Sequence, residues 1–515
     1  MKKSNNVSRE ILVEDLNKVQ NKWSKNNKGI LTREYYRQNG KFSTFLIEKV
    51  FGSFNKAKKE CDLKKEKTTR ESFNIFKSNK KINKKYFISS IIAGAPIKKE
   101  FIDSINQYCI ENNTELILLV MRGVEIKSAF DKEIIEKYSK YFCTEFQFNS
   151  NIIAKDFMLN PQQILPLTGL QRYGGKSQSI IVAHSKQMMI TVPKPHNDFP
   201  HLVLSTGTIC LPNYRNTRQG QIAKEDNCLS GIILEVKNDN IFFLRTIRFD
   251  GKGFQDLNKY YTSEKVINKN ANSIIIEPHF GEEDKEAFKI YDEVIDLCKP
   301  KNVFMHDSFD AGSVNPHELN KIGVKCKRKS VQKTLEDELV YFGNCLQKLE
   351  EKYKATYYHV YSNHNLFVDR YLENGDFIKD SINVKIGAEL FLALINNENP
   401  IEYYLKKNFD LKDQIFLKRG ESFQVSDCEM NIHGHISSNG RRGNAKSIEI
   451  SSNSAIIGHS HSPSIWRSVI CIPTLSNLQQ EYNMDGASSW LQGVGLLFES
   501  GEKQIILNIN KEWKL

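Results

Sequence analysis

Between residues 273 and 461 the chain repeats one local pattern: a short run of β-branched and aromatic residues, then an abrupt cluster of histidine, carboxylate or asparagine. "SIIIEPHF" runs into Glu277 and His279, "NVFMHDSFD" into His306, Asp307 and Asp310, and "TYYHVYSNHN" into Asn363, His364 and Asn365. Further on, "NIHGH" carries His433 and His435, and "AIIGHSHSP" carries His459 and His461. The first three runs are separated by stretches with apolar residues at helical period, "EEDKEAFKIYDEVIDLCKP" and "KTLEDELVYFGNCLQKLEEKY". Strands alternating with helices of this length predict parallel pairing. Open α/β sheets build their sites at the carboxyl ends of the strands. The pattern therefore constrains fold and chemistry together, since it sends polar groups from distant parts of the chain to one edge.

Nine of the twelve histidines lie between 279 and 461. Imidazoles, carboxylates and an amide oxygen without a thiolate make a borderline-hard donor set, suited to Mn²⁺, Zn²⁺, Fe²⁺ or Mg²⁺. Two such ions sharing one carboxylate can hold a phosphate and acidify a water for in-line attack. His459 and His461 are two residues apart, so on an extended segment both point to the same side and each can reach a different ion of one cluster.

The order of these clusters resembles the calcineurin-like metallophosphoesterases, which carry D-x-H, G-D-x-x-D, G-N-H-D/E, H and G-H-x-H at successive strand ends. The steps here are 28 residues from His279 to Asp307, 56 to Asn363, 70 to His433 and 26 to His459. The resemblance implies a C-terminal β-sandwich flanked by helices over 266–515. It implies two divalent ions, Mn²⁺ foremost. Glu277, His279 and His461 would hold the first ion, Asp307 would bridge, and Asn363, His433 and His459 would hold the second. His364 would touch the phosphoryl oxygen and protonate the leaving oxygen, which makes it, with Asp307, the catalytic pair. Three positions depart from the family pattern. Glu277 stands for Asp, His306 for Gly before the bridging residue, and Asn365 for the acid that orients the catalytic histidine. His435 competes with His433, and the family's H-G pair favours His433. His306, Asp310, Asn365 and His435 are expected just behind the ligands. Arg441 and Arg442, in "SNGRRGNAKS", are candidates for clamping substrate phosphate, with a solvated loop as the alternative.

Charge divides the chain differently. Residues 1–85 hold 23 Lys/Arg against 9 Asp/Glu, whereas the whole 515-residue chain carries only +12. A basic module is thus joined to a near-neutral body, which points to nucleic acid or an anionic surface. Ile11, Leu12, Leu16, Val19 and Trp23 recur at helical period, and turns are expected at Asn39–Gly40 and Gly52–Ser53 with a helix opened by Ser43. This stretch resembles the small DNA-binding repeat found beside homing endonuclease domains, on "NGKFS" and "FGSFNKAKKECDL", with Phe54 where that repeat more often has Trp. DNA phosphate contacts are expected from Arg33, Arg37, Lys41, Lys49 and Lys56.

The expected organisation is a helical DNA-binding module at 1–63, a basic linker at 64–85, a β-rich middle domain at 86–265 and the metal-binding domain at 266–515, α+β overall. In the middle, "YFISSIIAGAP", "IKKEFIDSINQYCIENN" and "TELILLVMRG" predict one strand–helix–strand unit, and a hairpin is expected around Asn238–Asp239. His184, His196 and His201 lack metal-like spacing and are read as structural. Ten scattered cysteines without a C-x-x-C pair fit a reducing compartment. No apolar run reaches the roughly 18 to 20 residues of a membrane span. A cytoplasmic protein is expected.

Together the basic module, the β-rich middle with "TGTICLPNY" and the C-terminal motifs resemble the tailed-phage DNases of DNA transfer and host-DNA breakdown. That resemblance implies DNA as partner, the host cytoplasm as location and a homo-oligomer. Two alternatives stand beside it: a small-substrate phosphodiesterase or phosphomonoesterase, and a catalytically weak DNA-binding regulator.

Overall fold

Short hydroxyl side chains open the helices of the N-terminal unit. Thr32, Ser43 and Ser53 each accept a hydrogen bond from a backbone N–H in the first turn of the helices Arg33–Asn39, Thr44–Phe51 and Phe54–Glu60. A longer helix, Arg9–Asn26, precedes them. Leu12, Leu16, Val19, Leu31, Tyr36, Ile47, Phe51, Phe54 and Ala57 form its core. Ile11, expected inside, is 47% exposed because the buried stripe runs through Leu12 instead. The computed structural model describes residues 7–26, 31–61, 72–73, 75–78, 82–125, 128–173, 178–195, 201–316, 334–480 and 483–515. It divides into two units, Met1–Ser72 and Phe73–Leu515.

The second unit is a mixed α/β assembly. A five-stranded sheet runs in the order Phe242–Arg248, Ser230–Val236, Lys84–Ile92, Thr114–Met121, Phe142–Cys143. Its centre is the expected strand–helix–strand unit, with Lys84–Ile92 and Thr114–Met121 parallel and joined by the helix Lys99–Glu111. Ser230–Val236 and Phe242–Arg248 form the expected hairpin, in which Asn238 Oδ1 accepts from the N–H groups of Asn240 and Ile241.

Two larger sheets stack face to face in the C-terminal half. One runs Gln414–Phe416, Thr356–His359, Asn302–Met305, Ser273–Ile276, Gly493–Leu497, Lys503–Leu507, and its first four strands are parallel. Strand alternation splits its side chains between two cores. Ile274, Ile276, Val303, Met305 and Ile506 pack with the helices Lys285–Cys298 and Leu335–Lys352. Ile275, Phe304, Leu497 and Ile505 pack with Ile456, Ile465 and Ile470 of the second, eleven-stranded sheet. This is a β-sandwich with helices on one outer face.

Strand pairing crosses two of the expected boundaries. Segments 86–265 and 266–515 share the eleven-stranded sheet, because Ser464–Trp466 pairs with Met188–Val192. Within 64–85, read as a linker, Phe76–Ser78 pairs with Glu145–Asn149, anchored by Phe73 against Phe130 and Phe142. The rest of that linker through residue 71 lies outside the described residues, as does His196. His184 is structural: buried, it is pushed down to about 3 by desolvation, and its ring contacts Asn160 O and Lys186 N.

Arg245 ties this unit together. Fully buried, it donates to Glu235 Oε1 at 2.9 Å and to Asp256 Oδ1 at 2.8 Å. Removing it leaves the buried Asp256 without its cation and Glu235 with Lys85 Nζ at 3.6 Å, and breaking such a buried pair costs about 3–5 kcal/mol. Arg245→Met is therefore expected to lower the thermal midpoint markedly. A midpoint within a degree of the parent protein would show that the pair contributes nothing net.

Candidate metal centre

The four parallel strands and the facing sheet end at the same edge. Ser273–Ile276 delivers Glu277 and His279, and Asn302–Met305 delivers His306, Asp307 and Asp310. Thr356–His359 leads into Ser362, which caps the helix Asn363–Glu373 and so presents Asn363 and His364 at its first turn. From the other sheet, Ala455–Ile457 runs into Gly458, His459 and His461. Backbone bonds tie these loops to one another: His279 N donates to Asp307 O at 3.0 Å, and Gly458 N to His433 O at 2.8 Å.

Their donor atoms converge in two sets. In the first, His279 Nε2 and His461 Nε2 are 3.0 Å apart, with Glu277 Oε1 3.3 Å from His461 Nε2 and Asp307 Oδ2 3.6 Å from His279 Nε2. In the second, His433 Nε2 lies 3.1 Å from Asp307 Oδ2 and 2.9 Å from Asn363 Oδ1, which is 3.0 Å from His459 Nδ1. Donors about 2.1 Å from one ion stand roughly 3.0–3.4 Å from each other; the second set has separations of 2.9 to 3.1 Å and the first is looser, at 3.0 to 3.9 Å. Asp307 Oδ2 belongs to both. The chain thus gathers a His/carboxylate cluster that could hold a metal ion, and Asn363 Oδ1 lies against His433 and His459 of that cluster.

Burial decides what the cluster needs. Glu277 and Asp307 are 0% and 1% exposed, and among the described residues their ion-pair partners are imidazoles alone. Desolvation pushes both carboxyls up, but His461 and His279 hold Glu277 well below the usual range, and His433 and His364 do the same for Asp307. Buried carboxylates held ionised demand a cation in contact. His279 answers part of that demand: burial lowers its pKa, yet Asp310, Glu277 and Asp307 raise it well above the ordinary value. Among the described residues Glu277 Oε2 and Asp307 Oδ1 have no hydrogen-bond partner, so acceptor capacity is left over for a cation.

The backbone is strained where the ligands sit. His279, Asp307, His459 and His461 have φ of 46°, 38°, 69° and 54°, in the left-handed region that costs a non-glycine residue about 1–3 kcal/mol. A Cβ at Gly458 would stand 2.7 Å from Glu277 Oε2 and 2.9 Å from His306 Cβ, so a side chain there forces one of them to shift. His459 N, freed by this turn, donates to Glu277 Oε1 at 2.7 Å.

The chain is 27% identical over 462 residues to Protein A1 of Escherichia phage T5, covering 83% of this chain and 82% of that protein. No family profile matches it. The chain is thus similar to a phage protein along most of its length.

The expected supporting residues are redistributed. Asp310 Oδ1 lies 3.1 Å from His279 Nδ1, fixing that nitrogen as the protonated one and leaving Nε2 for a metal. His306 Nδ1 lies 3.4 Å from His433 Nδ1, and burial pushes His306 down to about 3. Asn365 does not support His364. Its Oδ1 accepts from Ser362 N and Oγ in the helix cap, and His364 Nδ1 instead donates to Asp310 O. His435 stays outside both sets, its ring 5.4 Å from that of His433. Burial, with the charges of His433, His459 and Arg419, pushes it down to about 4. Arg441 and Arg442 are exposed on a turn leading out of His435, closed by Gly443 N donating to His435 O at 3.0 Å. In the N-terminal unit Arg33 pairs with Glu48 and Arg37 with Glu34, whereas Lys49 and Lys56 make no ion pair among the described residues.

Sequence reasoning missed three neighbours. His359 holds Ser308 Oγ at 2.9 Å, just after Asp307. Trp490 meets His461 edge to face at 4.1 Å. Arg419 stands beyond the fourth parallel strand, Gln414–Phe416. Only the last could have been found, by reading "KRG" as one more polar strand end.

Gly458→Ala tests the cluster without removing a donor. It is expected to weaken Mn²⁺ binding, followed by titration calorimetry, about 10-fold or more while the thermal midpoint shows a folded protein. Unaltered affinity would mean that Glu277 is not a ligand.

Proposed function

We propose that this chain is a phage-encoded, metal-dependent phosphodiesterase that cuts DNA, of the metallophosphoesterase type. The observation that carries the proposal is the pair of His/carboxylate sets sharing Asp307 Oδ2 at the sandwich edge. Glu277, His279, His461 and Asp307 would hold one divalent ion, and Asp307, Asn363, His433 and His459 the other. Such ions, Mn²⁺ foremost for this donor set, supply Lewis acidity and an acidified water. The protein's own groups do the rest. Glu277 reaches the set despite its extra methylene, because its Oε1 is held by His459 N. His364 Nδ1 donates to the carbonyl of Asp310, which leaves Nε2 as the other nitrogen; only with both nitrogens protonated would the ring donate from Nε2 to the leaving oxygen, becoming neutral as it does so. Arg441 and Arg442 would meet substrate phosphate from the rim.

Three features support DNA as substrate: the relative is a phage protein, the first 85 residues are strongly basic, and Lys49 and Lys56 are uncompensated. Among the described residues no helix is long and apolar enough to cross a membrane, which is consistent with action in the host cytoplasm.

Incubating the protein with supercoiled and linear plasmid under EDTA, Mg²⁺ or Mn²⁺ tests the reading. Cutting should require metal, and Asp307→Ala should lower the rate at least about 1,000-fold, the loss expected when several kcal/mol of charge stabilisation go. Hydrolysis of a small chromogenic diester alone would make it a small-substrate esterase. A gel shift without any cutting would make it a DNA-binding regulator.

The basic module has its own readout. Lys49→Gln with Lys56→Gln should weaken duplex binding for all sequences alike and reduce the slope of log K against log salt by about 2. An unchanged slope would remove these lysines from the interface.

A further inference from the structure

The four parallel strands of the site sheet end in order at Glu277, Asp307, Asn363 and Arg419, and the last of these belongs to no ligand set. Arg419 is exposed, and its guanidinium centre lies 5.5 Å from the centroid of the Tyr361 ring. It makes no ion pair among the described residues. Tyr361 immediately precedes the Ser362–Asn363–His364 turn, and its hydroxyl donates to Asp369, so the ring is held in place from its far end. A guanidinium resting on an aromatic face keeps its planar N–H edge for an anion, with less side-chain freedom left to lose.

The loop carrying Arg419 is also fastened to the second ligand set. Leu417 N donates to His359 O at 3.0 Å. Asn431 Nδ2 donates to Lys418 O at 2.8 Å and to Glu421 O at 2.7 Å, two residues before His433. Arg419 is close enough to His435 for its charge to be felt there. A cation without an ion pair among the described residues, oriented by the Tyr361 ring and near enough to Asp369 and His435 for its charge to be felt at both, borders the cluster without entering it.

We infer that Arg419 binds a phosphate neighbouring the scissile one, so that the site favours a polynucleotide strand over an isolated phosphodiester, with Tyr361 as its positioning residue. This rests on the reading of the site as a DNA phosphodiesterase. A single small diester has no second phosphate for Arg419 to hold, whereas every internal bond of a strand does.

The experiment compares kcat/KM on a duplex oligonucleotide with kcat/KM on bis(p-nitrophenyl) phosphate, with Mn²⁺ in the full-length protein. Arg419→Ala is expected to lower the ratio of DNA to small-diester activity about 10-fold or more, chiefly through KM for DNA, since a charge-assisted contact of this kind is lost. Arg419→Lys, which keeps charge without the planar fork, should restore part of the ratio. Tyr361→Leu should lower it more than Tyr361→Phe, which keeps the ring and loses only the bond to Asp369. A ratio unchanged in Arg419→Ala, with the parent protein cutting both substrates, overturns this inference alone. Equal losses on both substrates overturn it too, since they place Arg419 at the scissile phosphate or in the fold. A parent protein that hydrolyses the diester but not DNA, or neither, overturns the nuclease reading and this inference with it.

Discussion

Two carboxylates, Glu277 and Asp307, are buried at the edge of the sandwich with no lysine or arginine paired to either among the described residues. Everything around them follows from that. An ionised carboxylate taken out of water is tolerated only with a positive charge in contact. Four imidazoles and one amide oxygen surround the pair, and their lone pairs face inward because the opposite ring nitrogens are engaged elsewhere in two cases: His279 Nδ1 on Asp310 and His433 Nδ1 on His306. Imidazole and amide donors around fixed negative charge select a cation rather than a neutral ligand.

Convergence of this kind opposes the local preferences of the chain. Left-handed backbone at His279, Asp307, His459 and His461 is unfavourable for each residue taken alone. The surrounding structure overrides it. The turns are pinned by His279 N on Asp307 O, Gly458 N on His433 O, Leu491 N on His461 O and His459 N on Glu277 Oε1. Strain concentrated at ligand positions and held by bonds between the ligand loops is what a preorganised site requires, since the donors cannot relax away from one another.

Much of this was legible in the sequence because the relevant signals are local. Strand periods, helical stripes and polar clusters at strand ends suffice to place Glu277, Asp307 and Asn363 on one edge, because a parallel sheet leaves them no other arrangement, whereas His459 comes to that edge from the facing sheet. Ser43 and Ser53 likewise mark their helices, because an N-cap hydrogen bond needs only three residues. What was not legible depends on contacts between distant segments. Asn365 looks like a support for the adjacent His364, but its carbonyl oxygen closes the helix cap, and the support comes from Asp310, 54 residues earlier. Ile11 and Leu12 both satisfy a helical stripe, and only the packing of the neighbouring helices decides that Leu12 is the buried one. Strand pairing across residue 265 was not legible for the same reason, since composition changes there while Ser464–Trp466 pairs with Met188–Val192.

That shared sheet gives the middle segment a part in the site. Ser464–Trp466 follows the His459–His461 turn directly and pairs with Met188–Val192 on one side and Val469–Cys471 on the other. Its corner is locked by charge. Arg467 Nε lies 3.0 Å from Asp226 Oδ1 and Arg467 NH1 3.0 Å from Glu449, while Asp226 also holds the buried Lys186 and Arg248 donates to Arg467 O. Lys186, Asp226 and Arg248 all come from the middle segment, and Glu449 from the helix after the His433 loop. Two of the proposed ligands therefore sit on a turn whose exit strand is held by residues more than 200 positions earlier in the chain. Without that clamp the left-handed turns at His459 and His461 would have one anchored end, and strained backbone with a free end relaxes. The middle segment is thus part of what keeps the ligand geometry in place, whatever else it binds.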